Sequence, residues 1–167
     1  MSTLYFRLAL EFNLFNFIST KGNILLGTGE HSGEIKITDF GLSKQMDEDN
    51  YDPEYGMDLT SQGAGTYWYL PPEVFVQGPN PPKISSKVDV WSVGCIFFQC
   101  IYGRKPYGHN LSQAAILENQ IILNAKEVTF PAKPPITVEA KVGFYLDVEL
   151  FSISFSLILF FSILRHS

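Results

Sequence analysis

The sequence predicts an α+β fold in which a small β-hairpin leads into a mainly α-helical body. Three stretches carry that expectation. Asn23-Ile24-Leu25-Leu26 is a short apolar run, and Glu34-Ile35-Lys36-Ile37-Thr38-Asp39 alternates with period two, which suits two strands sharing one buried face. Beyond Lys87, the segment to Tyr102 is apolar except for Asp89, Ser92 and Gln99, long enough for a helix buried on most sides. Ser112–Asn124 carries apolar residues at 114, 115, 117, 121 and 122, the spacing of an amphipathic helix.

The connections follow from turn chemistry. Gly27-Thr28-Gly29-Glu30-His31-Ser32-Gly33 joins the two strands. Its glycine spacing fits neither phosphate-binding fingerprint, and no helix is expected directly after it. Gln45–Gln62 is acidic and polar, with Asp47-Glu48-Asp49-Asn50 and Pro53, and reads as a mobile surface loop with no core face. Prolines and aromatics crowd Tyr67-Trp68-Tyr69-Leu70-Pro71-Pro72. Pro131, Pro134 and Pro135 end regular structure before Thr137-Val138-Glu139-Ala140 opens another helix.

Composition divides the chain into 1–21, 22–141 and 142–167. Most of the 14 phenylalanines fall in the two end segments, which are dominated by Phe, Leu, Ile and Ser. The first segment lacks the basic start and cleavage site of a secretory signal. The uncharged stretch 150–164 would span about 22 Å as a helix, short of a ~30 Å hydrocarbon core, so no membrane span is expected. Translated thymine-rich non-coding DNA has this same composition. A codon for Lys21 can end in AG and that for Val142 begins with GT, so both flanks are expected to be retained intron sequence. A net charge of −5 and a pI near 5.1 leave no footprint for nucleic acid. Cys95 and Cys100, five apart in an apolar helix, are expected to be buried thiols rather than a disulfide or metal pair. His31, His109 and His166 share no neighbourhood and read as surface residues.

Three short blocks follow one another in a fixed order: Asp39-Phe40-Gly41, then Gly65-Thr66 with Pro71-Pro72-Glu73, then Asp89-Val90-Trp91-Ser92-Val93-Gly94. Together they resemble the second half of a eukaryotic protein kinase domain. The detail is more specific. Gly33–Lys44, Leu59–Glu73 and Gly103–Asn110 closely resemble the Tousled-like serine/threonine kinases. The fold this implies is a partial kinase, mainly the α-helical C-terminal lobe with the small hairpin, the N-terminal lobe being absent. ATP and Mg²⁺ are the implied cofactors, a histone-chaperone-like protein the implied substrate, and the nucleus the implied location. Relatives carry a coiled coil before the kinase domain; no sustained heptads occur here.

By the same resemblance, Asp39 and Asn23 are the metal ligands, and Leu25 and Thr38 join them in binding the nucleotide. Gly65 and Thr66 belong to the peptide platform. Phe40, Gly41, Thr60 and Ser61 belong to the activation loop, with Thr60, Ser61 and Ser43 as candidate phosphorylation sites. Glu73 and Asp89 are structural, Asp89 capping amides of the catalytic loop; read without the resemblance, it is a plain N-terminal helix cap. The departures weigh against catalysis. Counting back from Asn23, the general-base aspartate falls at Ile18 and the catalytic-loop lysine at Thr20. The glycine-rich loop, its lysine and the paired helix glutamate would all precede residue 1. The arginine that should pair with Glu73 has no counterpart, since Arg165 is the sole arginine after Lys141 and its surroundings do not match. The expectation is a kinase fragment inactive as an isolated chain. The alternative is a non-catalytic lobe that competes for substrate or for full-length kinase.

Overall fold

Residues 14–15, 21–32, 34–45, 52, 56–59, 64–80, 82–85, 87–137 and 141 are described by a computed structural model. Six short strands come first: β1 Leu14–Phe15, β2 Ile24–Leu26, β3 Ile35–Ile37, β4 Lys44–Gln45, β5 Met57–Asp58 and β6 Lys83–Ile84. Two helices follow, α1 Lys87–Tyr102 and α2 Gln113–Glu118. The strands form three separate antiparallel pairs, β1 with β4, β2 with β3 and β5 with β6. The α+β architecture expected from the sequence is therefore present, with the hairpin and the long apolar helix where they were read.

The β2–β3 hairpin sets Ile24 opposite Ile37, Leu25 opposite Lys36 and Leu26 opposite Ile35. Ile24 and Ile37 pack against a buried cluster of Tyr69, Cys95 and Ile96. The buried face does not run the whole length of the hairpin, because Leu26 is 58% exposed at the turn end. The connection contains a single 3-10 turn, Gly29–His31, closed by backbone bonds from His31 N–H to Thr28 O and Ser32 N–H to Gly29 O.

Helix α1 begins where Ser85 Oγ accepts the Lys87 N–H, a side-chain cap on an otherwise orphaned donor. Asp89 sits in its first turn, where a negative charge opposes the helix dipole favourably. Val88, Ser92, Cys95, Ile96 and Phe98 are its buried residues, and three of them, Val88, Cys95 and Ile96, belong to two clusters. One is that of Tyr69, Cys95 and Ile96; the other gathers Met57, Leu59, Leu70, Val74, Ile84 and Val88. Ser92 is the buried polar side chain among the described residues, and its hydroxyl lies 2.7 Å from Tyr69 O and 2.9 Å from Val88 O. One proton serves both carbonyls, which ties the helix to the Tyr67–Tyr69 turn.

Three expectations are corrected here. The acidic 45–62 segment does supply a core face at its end, since Met57 and Leu59 are 7% and 2% exposed. Pairing of β5 with β6 orients alternate residues inward, while Asp58 turns outward to Lys83 at 2.7 Å. The helix expected over 112–124 stops at Glu118. Gln120 takes φ 50°, its N–H donates to Leu117 O, and Ile121 N–H donates to Ile116 O, a Schellman ending that satisfies the last carbonyls. Cys100 is exposed rather than buried; Cys95 alone is enclosed, and burial pushes its thiol up to about 12, which keeps it protonated. Of the helix expected from Thr137, the Lys141 N–H bond to Thr137 O is seen, while 138–140 lie outside the described residues. No helix among the described residues is long and apolar enough to cross a membrane; 150–164 lies outside them.

Candidate functional site

The open end of the β2–β3 hairpin brings Asn23 and Asp39 together. Asn23 closes a 3-10 turn, Lys21–Asn23, directly before β2. Thr38 N–H donates to Asn23 O at 2.8 Å, extending the ladder one residue beyond Ile24 and Ile37. Asp39 is the next residue, one step beyond the backbone pair of Asn23 and Thr38 at the end of the hairpin. It adopts a left-handed backbone, φ 63°, a region that aspartate and asparagine enter more readily than other side chains with a β-carbon. Its Oδ1 accepts the Gly41 N–H at 3.2 Å, which fixes the turn locally.

The Asp39 carboxylate is exposed and has no ion pair among the described residues. An oxygen donor held at a strand end beside an amide suits a hard cation. No group of three or more His, Cys, Asp or Glu converges among the described residues. Leu25 is 51% exposed on the hairpin face opposite the Ile24 and Ile37 contacts, and Thr38 is half-buried. Phe40 is also exposed, at 57%. Ser43 Oγ is enclosed, which closes it to modification in this conformation.

The second part of the site is the segment 65–73. Gly65 has φ 103°, which a side chain would oppose, and it introduces Thr66 as the extended residue before the 3-10 turn Tyr67–Tyr69. The Thr66 hydroxyl does not cap that turn; the residues around Ile18 that the resemblance would pair with it lie outside the described ones. Thr60 and Ser61 lie outside them too. The turn is held from three sides. Tyr67 N–H donates to Gln113 Oε1 at 2.9 Å, Trp68 Nε1–H to Gly108 O at 2.8 Å, and Tyr69 O–H to Gln99 Oε1 at 2.6 Å. Burial raises the Tyr69 phenol above its ordinary value, so it remains a donor. Gly108 has φ 58°, and a β-carbon there would meet Ile116 at 2.9 Å and Trp68 at 3.5 Å. The roles of Ser92, Gln99, Lys105, Gly108 and Gln113 in bracing the platform were not read from the sequence. Their partners are distant in the chain, so even where a motif contains the residue, nothing local shows what it braces.

Glu73 lies in the 3-10 turn Pro72–Phe75, partly buried, and no lysine or arginine among the described residues forms an ion pair with it. Desolvation raises its carboxyl above the usual range, only partly offset by a backbone hydrogen bond. With the folded value raised, the folded state binds the proton more tightly than the unfolded state. Stability is then greatest below the ordinary carboxylate value of 4.5 and is lost as pH rises through the raised value. Glu73→Gln is therefore expected to raise the melting temperature at pH 7 and to lose that advantage below pH 4.5. Thermal melts across this pH window check the sign.

Residues 21–147, more than half the chain, match the family model described as protein kinase domain. The human serine/threonine-protein kinase tousled-like 2 is 70% identical over 120 residues, which cover 72% of this chain and 16% of that protein. The tousled-like 1 kinase of Caenorhabditis elegans is 60% identical over 119 residues, 71% of this chain and 12% of that protein. TOUSLED of Arabidopsis thaliana is 54% identical over 121 residues, 72% of this chain and 17% of its own length. The chain thus spans about a sixth of the length of curated relatives such as these. A chain from the crystal structure of the yeast RNA Pol II CTD kinase complex shares the fold, with a TM-score of 0.50 and 23% identity. The match covers 69% of this chain and 33% of that one.

Proposed function

The chain belongs to the protein kinase domain family, with the sequence of its Tousled-like serine/threonine branch, and from that premise we propose that it supplies the metal-holding and peptide-docking parts of a kinase site without performing phosphoryl transfer itself. The observation that supports this reading is the Thr38 N–H to Asn23 O bond at 2.8 Å, by which Asn23 and Asp39 both fall at the open end of the hairpin. Asn23 and Asp39 would hold magnesium, and Leu25 and Thr38 would line the nucleotide. Magnesium supplies the positive charge that offsets negative charge on the phosphates. Gly65 and Thr66 would orient the peptide, whose serine or threonine hydroxyl is the acceptor.

At the positions that the resemblance gives to the general base and the catalytic-loop lysine, the chain carries Ile18 and Thr20. Ile18 has no lone pair to receive the hydroxyl proton, and Thr20 carries no charge for the transferring phosphate. Incubation of the purified chain with ATP, magnesium and a histone chaperone is therefore expected to give no phosphoprotein. Transfer that disappears in Asp39→Ala would overturn that expectation. A histone-chaperone-like substrate and a nuclear location are the finer parts of this reading. The combination of a braced platform with Ile18 also favours a competing role, in which the chain holds substrate or full-length kinase without turnover. Co-purification with the full-length enzyme at matched expression tests it.

A further inference from the structure

Lys105 stands at the edge of the 65–70 segment, Arg104 is its neighbour in the chain, and among the described residues neither meets a carboxylate. The Lys105 ammonium lies 3.8 Å from the centroid of the Trp68 ring, a cation–π contact with a platform residue itself. Arg104 is exposed and makes no hydrogen bond or ion pair among the described residues. In a chain of net charge −5, two adjacent cations without an acidic partner run against the overall balance.

The loop that carries them is pinned rather than free. Trp68 Nε1–H holds Gly108 O at 2.8 Å, and Lys105 N–H donates weakly to His109 Nδ1 at 3.3 Å. Tyr107 stacks on Trp91 of α1, ring centroids 5.6 Å apart and planes within 12°. A β-carbon at Gly108 would press on the Ile116 side chain, so the close approach of the loop to Ile116 and Trp68 favours glycine there. Trp68 covers one side of the Lys105 ammonium while its N–H donors remain available on the other. A cation fixed in this manner loses little freedom when an anion meets it, which is the condition for selective recognition.

We propose that Lys105 and Arg104 form a specificity subsite for an aspartate or glutamate side chain close to the acceptor hydroxyl of the peptide. This rests on the reading of 65–70 as the peptide platform. The test is equilibrium binding, by fluorescence anisotropy, of one serine peptide carrying glutamate, glutamine or phosphoserine at the flanking positions. For an exposed to half-exposed pair, glutamate is expected to bind roughly three- to tenfold tighter than glutamine. The gap should close in Lys105→Gln with Arg104→Gln, and shrink from 0.05 to about 0.5 M salt as screening shortens the reach of the charges. Neither substitution touches the core, so the variants are expected to fold. Equal binding of glutamate and glutamine peptides overturns the subsite and leaves the platform standing. Preference for phosphoserine, with glutamate no better than glutamine, overturns the carboxylate assignment. Failure of every peptide to bind overturns the platform and the subsite together.

Discussion

Asp39→Asn is expected to weaken Mn²⁺ binding at the hairpin end by at least about tenfold, read by water-proton relaxation or calorimetry. Asparagine is the informative replacement. It keeps the shape, an oxygen that can accept the Gly41 N–H, and tolerance of the φ 63° backbone. What it removes is the charge, and hard cations bind chiefly through charged and polar oxygens. Alanine would also disturb a left-handed turn, mixing strain with lost ligation. Asn23→Ala should weaken binding less, since it removes a neutral donor. Unchanged Mn²⁺ affinity in both variants would remove the hairpin end as a metal site.

Phe98→Ala is expected to cost about 3–5 kcal/mol of folding stability, seen as a lower denaturation midpoint. Phe98 is 1% exposed on α1 and packs its ring 4.7 Å from that of Tyr102 and 5.8 Å from that of Phe130. Truncation leaves a void between α1 and the 125–130 segment that two large rings cannot collapse to fill. Single domains commonly hold about 5–15 kcal/mol in total, so the loss is a large share. Phe98→Leu keeps much of the volume and should cost clearly less. A midpoint unchanged in Phe98→Ala would mean that this face of α1 is not a core.

How much of this was legible depends on whether the signal was local. The bounds of α1 were readable because an apolar run is stopped by Gly103, and the hairpin because a short apolar run and an alternating one flank a glycine-rich turn. Asn23 and Asp39 were named together through the family resemblance, and the hairpin register then puts both residues at its open end. The end of α2 was not readable, because Gln120 turns left-handed without a glycine or proline to announce it. Met57 and Leu59 were hidden by acidic neighbours, and only their pairing partner β6, well along the chain, turns them inward. The Trp68–Lys105 contact was least visible of all. The Gly103–Asn110 block could be matched to a family, but nothing local says that its lysine lies on a ring of the platform.

The pairing of Leu14–Phe15 with Lys44–Gln45 has a bearing on motion. The turn of Asp39, Phe40 and Gly41 is bracketed, by the β2–β3 ladder ending at Ile37 and by the β1–β4 ladder resuming at Lys44. Any swing that exchanged the positions of Asp39 and the exposed Phe40 ring would have to be absorbed between Asp39 and Ser43, or else break the Thr38–Asn23 bond or unzip one of the two ladders. The geometry leaves five residues to hinge such a swing.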